Sequence, residues 1–312
     1  MERRTALLRR DSNGIVTYHF ENLTGEGLMH AVFTRLGGVS EGPFATLNVG
    51  KSVGDDEVAV AENHARVYAH LGLRADQVVT THQVHGNQVA FVAADSIGQV
   101  IPATDGLVTG APDIALMLRF ADCQPILLYD PVRHALGLVH AGWRGVAQGI
   151  AHRAVEAMKG AFASKPGDLL AGLGPAIGPC CYTVGHEVAA AMGYALSDWQ
   201  QVLQPDGNGW SFDLPAANAQ QLAAAGVQQL EQAGLCTACH QEEFFSHRGD
   251  NGRTGRFAVV AFLERRDLAH SEETAEVDST DRAADFTGSD NEPDSLHPPG
   301  FPAFGEYLGG EL

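Results

Sequence analysis

The 312-residue sequence predicts a domain that combines α-helices with β-strands. Short runs of apolar and β-branched residues, such as residues 15–20 and 257–263, are typical of strands. Residues 55–72 instead show the spacing of an amphipathic helix. A hydrophobic content of 45% is sufficient for a full core. The positions that define the buried face of this helix are Val58, Ala61, Ala65, Tyr68 and Leu71.

A segment rich in glycine and proline, residues 29–50, follows the first strand. Arg35 stands between a short apolar run and two consecutive glycines, where a backbone is able to approach a ligand closely. Asn48 ends a similar short run. Both residues are candidate ligand contacts, and an exposed surface loop is an equally good interpretation.

Two histidines interrupt the next strand-like stretch. His82 and His85 lie between two β-branched runs within residues 77–92. A lone histidine at a strand end is more often a structural residue than a ligand. Asp105 and Gly106 then have the composition of a turn before another short strand, with a hydrogen-bonding carboxylate as an open alternative.

The centre of the sequence predicts a β-hairpin that carries a cysteine and a histidine. Residues 125–129 and 135–139 are strand-like and flank a turn at residues 130–133. If Tyr129 and His134 close this turn, Cys123 lies directly opposite His140. Opposite Cβ atoms are about 5 Å apart, which is close enough for a thiolate and an imidazole to share one zinc ion.

This pair has three interpretations. Cysteine and histidine are common in ordinary cores. Cys123 is also a candidate nucleophile with His140 as its base, or both bind metal with a third ligand from elsewhere. Polar Asp122 and the Gly-Trp-Arg-Gly segment after His140 favour a site, and His82 or His85 would supply the third ligand.

The residues after the hairpin predict helices. Val146, Ile150, Ala154, Met158 and Phe162 recur every four residues, which places His140 at a strand-to-helix junction. A helix start favours an anion, so Arg144 is a candidate to hold phosphate or carboxylate. A second helix is expected over residues 216–233, which are rich in glutamine and alanine.

The five cysteines are expected to be reduced thiols, since their number is odd and two are adjacent. Cys180 and Cys181 are expected to pack as small apolar residues. Cys236, Cys239 and His240 match the C-x-x-C-H haem-attachment pattern. We reject haem because the N-terminal residues show no export signal, and for the same reason we expect a cytoplasmic protein.

Acidic residues are concentrated at the C-terminal end. The formal net charge is −18, and residues 264–312 contribute 13 acidic and 3 basic side chains, a net charge of −10. These residues are expected to form a disordered acidic tail, residues 264–312, beyond a catalytic domain at residues 1–263. No basic stripe or long apolar stretch indicates binding to nucleic acid or membrane.

Five motifs together resemble the laccase-domain family, whose members are variously named polyphenol oxidase, purine nucleoside phosphorylase and peptidoglycan editing factor. The resemblance covers residues 29–263, in the family's order. The last motif departs from the family's usual FFSYRRDG at His247 and Gly249. The motifs are QVHG (83–86), ADCQP (121–125), HAGWRG (140–145), GPAIGPCCYTVG (174–185) and FFSHRGDNGRTGR (244–256).

The resemblance implies an α/β (α+β) fold, a four-layer α/β/β/α sandwich with mixed sheets in a single domain. It also implies one zinc site, with copper as an alternative metal, held by His85, Cys123 and His140. Asp122 is expected to shuttle a proton or to orient a ligand. The residues implied in substrate binding are Arg35, Asn48, Gln83 and Arg144.

The function implied by the resemblance is a zinc-dependent purine nucleoside phosphorylase acting on adenosine, inosine and methylthioadenosine, with adenosine deaminase side activity. Its partners would be a purine nucleoside and phosphate. The alternative is an amidase that edits a peptidoglycan precursor. Copper-dependent polyphenol oxidation is less favoured, because multicopper chemistry requires several metal sites and the sequence offers one coherent ligand set.

Overall fold

A computed structural model describes residues 7–25 and 27–265, which contain sixteen strands and five α-helices. The strands are β1 (Leu7–Ser12), β2 (Ile15–Phe20), β3 (Leu28–Phe33), β4 (Val78–Thr81), β5 (Val89–Phe91), β6 (Val100–Ile101), β7 (Gly106–Thr109), β8 (Ala115–Phe120), β9 (Gln124–Asp130), β10 (Ala135–Ala141), β11 (Leu170–Leu173), β12 (Thr183–Val184), β13 (Leu203–Asp206), β14 (Gly209–Phe212), β15 (Gln229–Gln232) and β16 (Phe257–Leu263). The helices are α1 (Glu57–His70), α2 (Trp143–Ala147), α3 (Ile150–Phe162), α4 (His186–Ala195) and α5 (Leu214–Ala224).

These strands form two large sheets and one small sheet. The first has the order β1-β2-β3-β16-β8-β4-β6, the second has the order β15-β11-β9-β10-β7-β5, and the small sheet has the order β12-β14-β13. Both large sheets are mixed. In the first, β4 runs parallel to β6 and β8; in the second, β11 is parallel to β15 and β5 is parallel to β7.

The two large sheets pack face to face. Side chains alternate between the two faces of a strand, so Leu116 and Leu118 of β8 enter the core between the sheets, together with Leu127 of β9. Ala115 and Met117 point the other way and pack in the cluster that includes residues of α1. The core between the sheets therefore takes one set of alternate positions from each sheet.

The outer face of the second sheet is covered by helices α3 and α5. Ile126 of β9 and Val139 of β10 pack against Ile150 and Met158 of α3 and Leu222 of α5. The layers are therefore α1, the first sheet, the second sheet, and α3 with α5. This arrangement confirms the four-layer α/β/β/α sandwich with mixed sheets in a single domain.

Helix α1 forms where predicted, but the prediction of its buried face was wrong at Val58, Ala61 and Ala65, which are exposed, and correct at Tyr68 and Leu71, which pack against the core. Val58 is 77% exposed, whereas Val60, Asn63, His64 and Val67 are buried. Asn63 Nδ2 donates hydrogen bonds to the carbonyls of residues 46 and 48, and His64 Nε2 bonds to the carbonyl of residue 49. Polar side chains thus face the protein because they satisfy the carbonyls of the preceding loop.

Two helix boundaries differ from the predictions. The helix after His140 is divided into α2 and α3 by Gly149, whose φ is +75°. The helix predicted over residues 216–233 ends at Ala224, and Gly226 follows with a φ of +92°. Residues 229–232 form β15 instead, because their backbone pairs with β11. Glycine accepts this left-handed conformation without a steric penalty.

The central hairpin forms, but its predicted register was wrong. His140 lies opposite Pro125, and Cys123 lies just before β9 rather than directly opposite His140. The turn occupies residues 131–134 because Asp130 stays in the strand and its Oδ1 accepts the N–H groups of residues 132 and 133, each at 2.9 Å. The shift of two positions keeps Cys123 and His140 on the same face of the sheet.

The predicted acidic tail lies outside the described residues except for Glu264 and Arg265. No helix within residues 7–25 and 27–265 has the length and apolar character needed to cross a membrane.

Candidate metal centre and active site

Three side chains meet at one end of the interface between the large sheets. His85 lies in the connection from β4 to β5, and Cys123 lies in the connection from β8 to β9. His140 is the penultimate residue of β10 and is 4% exposed. One ligand atom from each of the three lies within 4.8 Å of those of the other two. Both connections cross between the sheets, which explains why residues distant in sequence converge here.

A buried carboxylate, Asp105, fixes two of these three residues. His140 Nδ1–H donates to Asp105 Oδ1 at 2.9 Å, which leaves Nε2 as the ligand atom. The backbone N–H groups of Val84, His85 and Gly86 donate to the same carboxylate at 2.8–3.1 Å. Burial alone would raise the pKa of Asp105, but these hydrogen bonds hold it below its usual value.

The backbone beside the ligands is unusual. His85 has a φ of +60° and Asp122, which precedes Cys123, has a φ of +80°. Non-glycine residues rarely adopt this left-handed conformation, and such strain concentrates at functional sites. Gly142 also approaches closely, since a Cβ placed on it would lie 2.8 Å from Cys123 Sγ and 3.3 Å from His85 Cδ2.

The charge state of Cys123 suits metal binding. Burial acts to raise the pKa of Cys123, but the neighbouring imidazoles of His140 and His85 lower it to about 6. Burial acts to lower the pKa of His140, whereas the Cys123 thiolate and Asp105 raise it to about 9. Cys123 is therefore a thiolate near neutral pH, the form that binds metal.

The donor set fits a transition-metal ion such as zinc or copper. Two imidazoles and one thiolate are intermediate and soft ligands, and Asp105 supplies the carboxylate that orients a histidine in many metal sites. Three protein ligands leave a fourth position open, which is typical of catalytic rather than structural zinc. The structure brings His85, rather than His82, to Cys123 and His140.

Asp122 is occupied by structural hydrogen bonds. Its Oδ1 accepts from the hydroxyls of Thr237 and Ser246 at 2.6 and 2.7 Å, and its Oδ2 accepts from the backbone N–H of Arg248 at 2.6 Å. Asp122 is 8% exposed. These hydrogen bonds hold the loops beside Cys123, which favours the role of orienting a ligand over proton transfer.

A cavity of about 720 Å³ adjoins the three ligands. Its lining includes five cationic side chains, and among the described lining residues the one carboxylate is Asp122. Residues 1–263 carry 25 acidic and 17 basic side chains, a net charge of −8. The cavity is therefore lined mainly by positive charge although the domain as a whole is negatively charged. The cations are Lys51, Arg119, Arg144, Arg248 and Arg256.

The four residues implied in substrate binding divide into two pairs. Gln83 and Arg144 line the cavity. Asn48 is fully buried and bonds to the backbone N–H groups of Gly50 and Arg256. The Arg35 guanidinium donates to two backbone carbonyls, at residues 45 and 241, and lies over the Phe245 ring. Arg35 and Asn48 thus support the loops around the cavity without lining it.

Sequence reasoning missed several residues of this site. The pattern around Asp105 indicates a turn, with a hydrogen-bonding carboxylate as the alternative, and does not show that this carboxylate orients a metal ligand. Arg119 stands in the apolar run of β8, and a lone charge in such a run was an available signal. Arg248 and Arg256 belong to the last motif, residues 244–256, where the sequence comparison singles out only His247 and Gly249. No local pattern distinguished Lys51.

Comparison with known proteins identifies the family. The model of a family described as multi-copper polyphenol oxidoreductase laccase matches residues 29–264. The chain belongs to this laccase family. Its relatives include purine nucleoside phosphorylase YlmD of Geobacillus stearothermophilus, 38% identical over 77% of this chain and 91% of the relative. Purine nucleoside phosphorylase of Deinococcus radiodurans is 41% identical over 76% and 90%, respectively.

Solved structures of the laccase family share the fold. The crystal structure of YlmD from Geobacillus stearothermophilus superposes with a TM-score of 0.78 at 35% identity, covering 82% of this chain and 98% of that chain. The Bacillus licheniformis hypothetical protein YfiH superposes with a TM-score of 0.77 at 35% identity, covering 82% and 99%.

Proposed function

We propose that residues 1–263 form a zinc-dependent purine nucleoside phosphorylase that acts on adenosine, inosine and methylthioadenosine, with adenosine deaminase activity as a side reaction. The observation that carries the proposal is the cation-lined cavity beside His85, Cys123 and His140. The purine nucleoside phosphorylase names of the relatives support the substrate class.

The cations provide a phosphate site. The side chains of Lys51 and Arg144 make no hydrogen bond or ion pair to the described residues, so their donors are available to a ligand. Arg144 also lies over the ring of Trp143, with its Cζ 4.3 Å from the ring centroid, which restricts its position. Guanidinium groups bind phosphate through two parallel hydrogen bonds. An acidic domain that gathers cations in one cavity is suited to an anionic substrate.

The remaining cavity wall is suited to a nucleoside. Trp143 and Tyr182 supply aromatic surface for a purine ring, and Gln83 supplies a polar side chain. Gln83 is held in place because it exchanges two hydrogen bonds with the backbone of Arg119, at 2.8 and 3.1 Å. These two hydrogen bonds make the position of the Gln83 amide independent of the substrate.

Phosphorolysis then requires three events. A phosphate oxygen forms a bond to C1′ of the ribose, the bond from C1′ to the purine nitrogen breaks, and the leaving purine takes up a proton. The arginines hold the phosphate in the orientation for attack and stabilise its charge. His82 and His247 line the same cavity and are the candidates to exchange the proton.

His85, Cys123 and His140 would hold the zinc ion. Zinc with an open position polarises oxygen ligands and lowers the pKa of bound water, which is the chemistry that a deaminase uses. The Cys123 thiolate reduces the net charge at this position, and Asp105 keeps the His140 ligand atom directed toward the centre. Deamination would consume water and release ammonia without phosphate, so the two reactions have different requirements.

Chromatography of adenosine incubated with the protein, with and without phosphate, tests the proposal. We expect phosphate-dependent adenine and ribose 1-phosphate, and a smaller amount of phosphate-independent inosine. Cys123→Ala should form neither. Adenosine unchanged by a zinc-loaded protein would contradict the proposal, as would adenine formation that does not depend on phosphate.

A further inference from the structure

Four of the five cysteines form a second cluster, separate from Cys123. Cys180 and Cys181 lie in the connection between β11 and β12, and Cys236 and Cys239 follow β15. All four sulfur atoms lie within 4.8 Å of one another. The expectation that both Cys180 and Cys181 pack as small apolar residues was wrong for Cys180, which is exposed, and is confirmed for Cys181, which packs half-buried against the apolar cluster that includes Val184.

The distances suit a tetrahedral ion. Zinc–sulfur bonds of about 2.3 Å place neighbouring sulfurs of a tetrahedral site about 3.8 Å apart. Here Cys239 Sγ lies 3.5 Å from Cys180 Sγ and 3.4 Å from Cys181 Sγ. A disulfide joins one sulfur to one partner, whereas Cys239 has two partners at nearly equal distance. Sulfurs this close together also leave no space for a cluster of several iron atoms.

The backbone around the cluster supports bound thiolates. The N–H of Gly178 donates to Cys236 Sγ at 3.2 Å, the kind of hydrogen bond that stabilises a sulfur ligand from outside the metal shell. A tight turn, in which the N–H groups of Cys239 and His240 both donate to the carbonyl of Cys236 at 3.1 Å, brings Cys236 and Cys239 together. Cys236 and Cys239 also have the C-x-x-C spacing that is typical of structural zinc sites.

The position of the cluster gives it a structural role. It joins two segments that are far apart in sequence and meet at a single β-bridge between Ala176 and Cys236. The first segment carries Tyr182, which lines the cavity, and the second carries Thr237, whose hydroxyl donates to Asp122. A link at this place would hold the two segments of the cavity wall together.

We propose that Cys180, Cys181, Cys236 and Cys239 bind a second, structural zinc ion. Four thiolates close the coordination sphere, so this ion has no open position and takes no part in the chemistry at His85, Cys123 and His140. Binding replaces the S–H protons of the four thiols, and the ion carries no redox change. The inference does not depend on which reaction the cavity catalyses.

Metal analysis of the full chain, expressed with zinc and purified under reducing conditions, tests this proposal. We expect two zinc ions per wild-type chain and one in Cys123→Ala, where the four-cysteine site is intact. Cys239→Ser should also retain one zinc ion, the one held by His85, Cys123 and His140. No zinc in Cys123→Ala, iron in place of zinc, or a mass deficit from disulfide bonds in that variant would each overturn the proposal, whereas one zinc in both the wild type and Cys123→Ala would support it and count against metal at His85, Cys123 and His140.

Cobalt substitution keeps the test decisive if Cys239→Ser fails to fold. Cys123→Ala reconstituted with Co²⁺ should show the intense thiolate-to-metal charge-transfer band and the visible bands of a tetrahedral four-thiolate site. A spectrum with weak bands only, typical of oxygen and nitrogen ligands, would refute it.

Chelation of zinc from Cys123→Ala should also lower the melting temperature, because the cross-link between the two segments is lost. An unchanged melting temperature would contradict the structural role.

Discussion

His140 Nδ1 donates to Asp105 Oδ1 at 2.9 Å, and this carboxylate also accepts the backbone N–H groups that shape the turn around His85. Asp105 thus determines the orientation of one ligand and the backbone position of another. Asp105 directly precedes the first residue of β7, Gly106, in the second sheet.

Asp105→Asn should weaken metal binding at this centre by about 10–100-fold, because an amide is a poorer acceptor and accepts from fewer N–H groups. Competition with a chromophoric chelator measures the affinity. Asp76→Asn, which removes an exposed partner of Arg74, is the matched control and should leave the affinity unchanged. Equal affinities in wild type and Asp105→Asn would show that Asp105 does not orient the ligands.

Gly142→Ala should remove activity and metal while the domain stays folded. The added Cβ would lie 2.8 Å from Cys123 Sγ, closer than real contacts allow, so the thiolate must move. Gly160→Ala in α3 is the control, since its Cβ would meet no atom within 4 Å, and it should stabilise the helix by about 1 kcal/mol. Metal content and thermal melting distinguish the two; full metal occupancy in Gly142→Ala would refute the steric argument.

Cys123 should be the cysteine that is alkylated most readily in metal-free protein near neutral pH. Its pKa is lowered to about 6, so the reactive thiolate predominates above that pH. Burial and neighbouring thiols raise the pKa of Cys181 to about 11, which makes it the internal control. Iodoacetamide labelling followed by peptide mass spectrometry measures both rates. A Cys123 rate that rises only near pH 9 would contradict the prediction.

Arg144→Gln should raise KM for phosphate about tenfold or more, with a smaller change in KM for the nucleoside. The variant loses a charge-assisted hydrogen bond to the anion, worth about 1.5–3 kcal/mol. Arg74→Gln, an exposed arginine paired with Asp76, is the control and should leave KM unchanged. Steady-state kinetics at varied phosphate give the answer, and an unaltered KM for phosphate in Arg144→Gln would place the anion elsewhere in the cavity.

Two buried histidines should make the domain sensitive to acid. Burial lowers the pKa of His30 to about 3 and that of His19 to about 4. The unfolded chain binds more protons below about pH 6.5, so stability is fully present above that pH and is lost as the pH falls toward 4. Each histidine contributes a slope of about 1.4 kcal/mol per pH unit in this window.

Urea unfolding between pH 4 and 8 measures this slope. His30→Gln removes one of these two imidazoles and should reduce the loss of stability on acidification, because a glutamine oxygen is able to accept the Phe20 N–H that His30 Nε2 accepts at 2.8 Å. His152→Gln, at an exposed position, controls for the removal of an imidazole. A slope that His30→Gln leaves intact would assign the acid sensitivity to other groups.

The sequence by itself determined several of the secondary-structure elements and the association of Cys123 with His140. Period-two and period-3.6 patterns predicted β2, β16, α1 and the central hairpin, because these patterns follow from local backbone geometry. The same alternation placed Cys123 and His140 on one face even though the register was wrong by two residues. The side chain of Asp130, which captures two N–H groups of the turn, decided that register.

Tertiary structure decided everything that depends on contacts between distant segments. It brought His85, rather than His82, to the metal ligands, gave Asp105 its partners, and gathered five cations from four separate stretches of chain around one cavity. It also joined Cys180 and Cys239, 59 residues apart. Such contacts depend on how the two sheets pack and where the chain crosses between them, and no local periodicity records that packing.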